Sequence, residues 1–289
     1  MNKHSSGQAL VIILLVMAVA LTIGLAVVSR SVTDIRLSQE QEESARAFSA
    51  AEAGIEAALG GSPITSYEGF TVSVVSEDLG GVGKMGFIFP YDVKKGDTQT
   101  VWLVDHDEDG NPDFSTAGNF TNFIFYWGER DVPDNVRDET PALEAYLVYL
   151  DGANRFQTRR VAFDPMGGRS EGFTSDAVVI NPGGHSIPDV GGEFRYEAKF
   201  TEDKFSKASF PPANAVALRI KLLYNKNLQP LGVHVFGDPL PIQGTCHEST
   251  AYREETKISR KVKQCNLHKA PPGTFDYVLY SKKDLIKSD

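Results

Sequence analysis

The chain has 289 residues, 41% of them hydrophobic and 10% aromatic, which leaves room for a packed core in one or two domains beside a long helix. A formal net charge of −9 and a pI near 5.2 argue against a basic, nucleic-acid-binding body.

Met1–Gly7 is short and polar, with one basic residue, Lys3. Ala9–Val28 follows as twenty residues without a charge or a proline, thirteen of them Leu, Ile or Val. At ~0.3–0.6 kcal/mol each, those thirteen contribute roughly 4–8 kcal/mol of insertion energy. The length matches the ~20 apolar residues that one bilayer span needs. Arg30–Leu59 is charged and alanine-rich, and the first proline of the chain is Pro63. The reading is one continuous helix over residues 8–60, about 52 residues and roughly 78 Å long at ~1.5 Å per residue. Its transmembrane half is 9–28; the second half suits a protein surface. A secretory signal peptide has a core of about 7–15 residues with a small-residue cleavage site after it. Here the core is longer, and the one Ala-x-Ala within the first 40 residues, Ala18–Ala20, lies inside it.

Within the second half, Phe48, Ile55 and Leu59, with Ala51 and Ala58, recur at helical spacing and give the expected docking face. Arg36, Glu40, Glu43 and Arg46 fall on the other sides, with Glu42 and Arg46 at the favoured four-residue separation. Gly60-Gly61-Ser62-Pro63 supplies the glycine cap and following proline that end a helix.

After Pro63 the texture is that of strands: Phe70–Ser76, Thr100–Asp105, Thr121–Trp127, Leu143–Leu150 and Phe156–Phe163. Phe194, Tyr196, Ala198 and Phe200 alternate with charged residues, as in a strand with one wet face, and Val216, Leu218, Ile220 and Leu222 repeat the pattern. Ile258–Lys263 and Phe275–Tyr280 are the last candidates. With no further amphipathic helix, antiparallel sheets are expected, and the fold class is α+β: a long N-terminal helix packed on an antiparallel β-rich body. Asn181–Gly192, with four glycines and two prolines, is the best boundary, either a linker or a long surface loop. It separates a first β module, 61–181, from a second, 193–289, with 182–192 between them.

Cys246 and Cys265 are the only cysteines. Behind an anchor that exports the body, a disulfide is the default reading, closing a loop of nearly 20 residues and constraining the unfolded chain by roughly 3 kcal/mol. Zinc is the alternative, because His247 and His268 lie close by, although the spacing fits no usual site.

Asp105-His-Asp107-Glu-Asp109-Gly110-Asn111-Pro-Asp113 carries the most pointed chemistry. Carboxylates at alternate positions followed by a turn glycine can wrap a hard cation, with Asp105, Asp107, Asp109 and Asp113 giving side-chain oxygens and Asn111 a backbone carbonyl. This resembles an EF-hand-type calcium loop, so Ca²⁺ is the expected cofactor. Thr116 stands where that loop carries a bidentate glutamate, and the flanks read as strands, so the affinity would be modest. A solvated acidic hairpin turn is the alternative.

No catalytic residues are expected. Gly168-Arg-Ser170-Glu-Gly172 has the spacing of a nucleophile elbow but lacks the strand before it and helix after it. There is no His-Glu-x-x-His, Gly80-Gly-Val-Gly-Lys84 lacks the phosphate-loop spacing, and His185 reads as a surface residue. Asn119-Phe-Thr121 is a sequon by pattern alone.

The flanks of the apolar run resemble a family. Gly7 stands just before the run rather than after it, as in the leaders of type IV prepilins and type II secretion pseudopilins. Arg46-Ala-Phe-Ser-Ala-Ala-Glu-Ala-Gly-Ile-Glu56 is similar to the same region of PilX-type minor pilins. The resemblance covers the first 60 or so residues. It implies cleavage between Gly7 and Gln8 by a prepilin peptidase and a single span in the inner (cytoplasmic) membrane before assembly. Contacts with other pilin subunits through the helix would follow in an extracellular filament. Where major pilins carry a glutamate five residues into the mature chain, this one has Ile12, and the usual kink proline is missing, leaving Gly24 as the weak point. The rival reading is a membrane-tethered, calcium-stabilised adhesin or carbohydrate-active module.

Overall fold

A computed structural model describes residues 6–81, 83–169, 172–175, 178–200 and 214–273, with side chains from residue 10 onward. Met1–Ser5 of the expected leader and the expected strand Phe275–Tyr280 lie outside the described residues.

Helix α1 runs unbroken from Ser6 to Leu59, straight through Gly24. Its end is built as expected from the glycines. Gly61, at φ +72°, turns the chain into the left-handed region. The Ser62 and Gly61 N–H groups then donate to the Ala57 and Ala58 carbonyls at 2.9 and 3.1 Å, satisfying acceptors the helix leaves open.

The strands are β1 (Ser66–Tyr67), β2 (Phe70–Gly80), β3 (Gly86–Ile88), β4 (Thr98–Trp102), β5 (Phe120–Trp127), β6 (Ala142–Leu150) and β7 (Phe156–Phe163). They continue with β8 (Val178–Ile187), β9 (Gly191–Phe200), β10 (Ala215–Leu223), β11 (Leu231–Gly237), β12 (Ile242–Arg253) and β13 (Ile258–Leu267). They form three sheets, ordered β1-β2-β12-β13, β4-β10-β6-β7 and β3-β11-β5-β9-β8. The fold is therefore α+β, a long apolar N-terminal helix followed by antiparallel sheets.

The chain divides into two compact units, but not at residues 182–192. One unit is built from the chain up to Ser76 and from His247–Gln264; the other from Glu77–Cys246 and the chain from Cys265 on. The glycine-rich stretch expected as a linker or loop is instead part of the β8–β9 hairpin, whose register runs from Val178↔Ala198 to Ile187↔Gly191. Its glycines serve a bulge in an outer strand. Asn181 closes that bulge by accepting from the Gly183 N–H at 2.9 Å and donating to the Gly184 carbonyl at 2.7 Å, with Gly184 at φ +86°.

In the first unit the docked half of α1 packs on β2 and β12. The buried face is Ala47, Ala50, Ala51 and Ile55, against Phe70, Val72 and Ala251. Phe48 and Leu59, expected on this face, are 46% and 42% exposed and point away. Small residues win because the helix approaches closely: a Cβ on Gly54 would sit 2.3 Å from Ser249 Oγ and 2.7 Å from Val72 Cγ1. The contact is latched by Arg253, whose Nη1 donates to both Glu43 oxygens at 3.0 and 2.8 Å. Its other nitrogens reach the Glu68 and Gly69 carbonyls, and its guanidinium lies 4.0 Å over the Phe70 ring.

In the second unit the other two sheets share one aromatic core. Phe123, Phe125 and Trp127 alternate inward along β5, opposite Phe200, Ala198 and Tyr196 of β9 on one side and Val235, Val233 and Leu231 of β11 on the other. Leu143, Ala145 and Leu147 of β6, Phe163 of β7, and Leu218, Ile220 and Leu222 of β10 complete it from the second sheet. Phe163 stands 6.1 Å from Phe125 and 6.4 Å from Trp127. The Trp127 indole N–H donates to the Pro141 carbonyl at 2.9 Å, so its one polar atom is satisfied.

Two glycines of one helix should therefore respond oppositely to the same change. Gly54→Ala is expected to destabilise the docked helix by about 1–3 kcal/mol through overpacking. Gly24→Ala, with nothing within 4 Å of the new methyl, should be neutral or stabilising by up to about 1 kcal/mol. Thermal unfolding of the detergent-solubilised chain, followed by circular dichroism, checks both.

Candidate functional site

The leading candidate is α1 itself. Every large apolar side chain from Leu10 to Val28 is 50–67% exposed, and Val32, Ile35 and Leu37 carry the exposed apolar character past the expected span. Among the described residues α1 is the one helix long and apolar enough to cross a membrane. A continuous apolar surface of this size is far beyond what a soluble monomer leaves in water. Gly7 and Gln8 fall in the first turn of the helix. Ile12, the residue standing where the resemblance expects a glutamate, is 62% exposed.

The acidic motif forms a tight turn, closed at its base by pairing of His106 with Pro112 and at its tip by Gly110 at φ +79°. Asp107 is the organiser: its Oδ1 accepts from the Asp109 and Asn111 N–H groups at 3.0 and 2.8 Å, and its Oδ2 from the Asn111 amide at 3.2 Å. Asp113 caps the following 3-10 turn by accepting from the Ser115 N–H and hydroxyl at 2.9 and 2.7 Å. These bonds favour the charged carboxylates and hold both pKa values below the ordinary range, Asp107 chiefly through Asn111 and Asp113 chiefly through Ser115. Asp105, Asp107, Asp109, Asn111 and Asp113 thus share one exposed turn. Among the described residues, however, no three His, Cys, Asp or Glu side chains converge as a metal site requires.

Cys246 and Cys265 form a disulfide joining β12 to β13. The two histidines weighed as zinc ligands are engaged elsewhere. His247 Nδ1 lies 2.8 Å from the Ser76 hydroxyl, and the His268 ring stacks coplanar on His106 at 3.9 Å. The Trp102 ring meets His106 edge-on at 4.9 Å. Burial, and then His268, push His106 down to about 4 against the opposing pull of Asp105 and Asp107. Burial also lowers His268, against a backbone hydrogen bond at Ile242, and His234, against Asp189.

Ser170 and Glu171 of the elbow-like motif lie outside the described residues; their neighbour Arg169 is structural. Its guanidinium pairs with Asp164 at 2.6 and 3.0 Å, both side chains 1% exposed, and stacks 4.1 Å from the Tyr224 ring. His185 is not the surface residue expected: its side chain is 13% exposed, with Nδ1 3.3 Å from Glu197 and Nε2 3.1 Å from the Val179 carbonyl. Sequence reasoning also passed over Arg253, which lies 210 residues from Glu43 and gives no local signal of the latch.

No protein-family model matches the chain, and no curated protein or solved structure does.

Because Asp107 closes the turn through three hydrogen bonds, Asp107→Ala is expected to lower the unfolding midpoint. A midpoint that rises with added Ca²⁺ would show that the carboxylates rearrange around the ion. The histidines set a pH window. Their folded values lie below the ordinary 6.5, so the stability they confer is fully present above pH ~6.5 and falls as pH drops below it, for His106 down to about 4. Asp107, Asp113 and Asp151, held low by hydrogen bonds, act only below that window. Midpoints measured from pH 7.5 to 4 should therefore decline in the wild type and decline less in His106→Phe.

Proposed function

We propose that this chain is a non-enzymatic minor pilin or pseudopilin. It is held by a single span in the inner membrane, cut between Gly7 and Gln8 by a prepilin peptidase, and then built into a type IV pilus-like filament or its tip. The observation that carries this reading is α1: one helix without a break from Ser6 to Leu59, apolar and uncovered in its first half, docked on a sheet in its second. An ordinary anchor needs only the span. Here the same rigid element continues for eight turns or so at ~3.6 residues per turn, which suits a subunit lifted from lipid into a bundle of helices. The β-rich part is left outside for adhesion or assembly.

Ile12 supports a special place for the subunit. A terminal ammonium moved into a helical bundle without a carboxylate partner costs several kcal/mol. With isoleucine at this position a copy cannot neutralise the terminus of a neighbour, so head-to-tail repetition is disfavoured. A tip or rare insertion is favoured.

Co-expression with a prepilin peptidase and intact-mass spectrometry of the purified chain tests the reading. A mature N-terminus at Gln8 is expected, and its loss in a Gly7→Val variant. A chain that keeps Met1 in the presence of active peptidase overturns it.

A further inference from the structure

A cavity of about 620 Å³ lies in the second unit, between outer strand β4 and the segment Cys265–Pro272. Its size falls within the ~300–1,000 Å³ typical of small-molecule sites. Tyr91, Gln99 and Thr100 line one side; Cys265, His268 and Lys269 line the other. The two halves of the disulfide are unequal. Cys246 is 2% exposed, whereas Cys265 is part-exposed and is one of the residues that line the cavity. Access decides which sulfur of a disulfide is attacked. Among the described residues of the lining, Lys269 is the one charged side chain other than a histidine, and none is a carboxylate.

We propose that Cys265 is a thiol-exchange site, at which a low-molecular-weight thiol bearing a carboxylate, of the glutathione class, enters this cavity and becomes disulfide-linked to the folded protein. The thiolate attacks Cys265 Sγ, a new S–S bond forms there, and the bond to Cys246 breaks. The electron pair leaves on Cys246 Sγ, which takes up the proton released by the incoming thiol, because a buried thiolate is disfavoured. The exchange is redox-neutral. It reverses when the Cys246 thiol, losing its proton, attacks Cys265 Sγ, re-forms the Cys246–Cys265 bond and expels the small thiol, which takes up the proton. Sheet pairing of β12 with β13 keeps the two sulfurs adjacent, so the return is intramolecular. His268, neutral at pH 7 because burial lowers its pKa, stands in the same wall as a proton acceptor for the incoming thiol.

The test uses the full chain. Folded wild type is treated with excess glutathione, quenched in acid and mapped by peptide mass spectrometry. Adduct is expected on Cys265 and none on Cys246; adduct on Cys246, or none on Cys265, overturns the proposal. In the single-cysteine variants, Cys246→Ser should react with oxidised glutathione about tenfold or more faster than Cys265→Ser while folded, and at an equal rate in denaturant. Equal rates in the folded state overturn it. Lys269→Glu should slow the reaction of Cys246→Ser several-fold at low salt; an unchanged rate removes the carboxylate preference.

Discussion

A helix that is apolar on every side for its first twenty-odd residues has no stable place in water, and everything else about this protein is arranged around that constraint. Nothing described in the chain folds back over Leu10–Val28, whose side chains are more than half exposed or close to it. Bilayer hydrocarbon satisfies such a surface, and so do the apolar faces of other helices. The absence of proline and the tolerance of Gly24 mean that the exposed half and the docked half are one element. Whatever holds the first half also fixes where the second half stands.

The docked half uses different physics. Its contact with β2 and β12 buries alanines and a glycine rather than leucines, so the gain per residue from apolar burial is small. Close approach compensates: backbone and sheet side chains meet directly, and Arg253 adds a charge-assisted fork to Glu43 plus a stacked contact on Phe70. Such a contact is strict about distance. A larger side chain at Gly54 is refused, whereas the aromatic core of the second unit is held by bulk. There Phe123, Phe125, Trp127, Phe163 and Phe200 each fill space from one sheet to the other.

Much of this is written locally. The bounds of α1 follow from the absence of proline and the glycine pair after Leu59; β5, β6, β7, β9 and β10 follow from alternation of aromatic and β-branched residues. What escapes sequence reading escapes for identifiable reasons. Phe48 and Leu59 look like the docking face because size signals burial, yet a face selected for close approach is made of Ala47, Ala50, Ala51 and Gly54. Asn181–Gly192 looks like a linker because glycine marks both loops and bulges, and only the partner strand β9 decides between them. β12 is missed because glycine and polar residues interrupt its alternation, and β11 because its alternating Leu231, Val233 and Val235 form only a short run between Pro230 and Gly237. The hydrogen bonds by which Asp107 and Asp113 cap the acidic turn depend on where the neighbouring N–H groups point, which the spacing of the carboxylates does not encode.

The sheet edges indicate which surface is left for association. An unpaired outer strand invites pairing with another chain, and each outer strand here is blunted. β1 and β3 are two and three residues long. β13 carries Arg260, Lys261 and Lys263. β8 is broken by the Asn181 bulge and contains Pro182, whose lack of an N–H is tolerated only at an edge. β7 bears Arg159 and Arg160. At β4 the Gln243 amide takes the place of a strand, accepting from the Trp102 N–H and donating to the Trp102 carbonyl, both at 2.8 Å. Among the described residues the sheet edges are thus closed in several separate ways, each by short length, charge, a bulge or a side-chain amide, while the large apolar surface left open is the first half of α1.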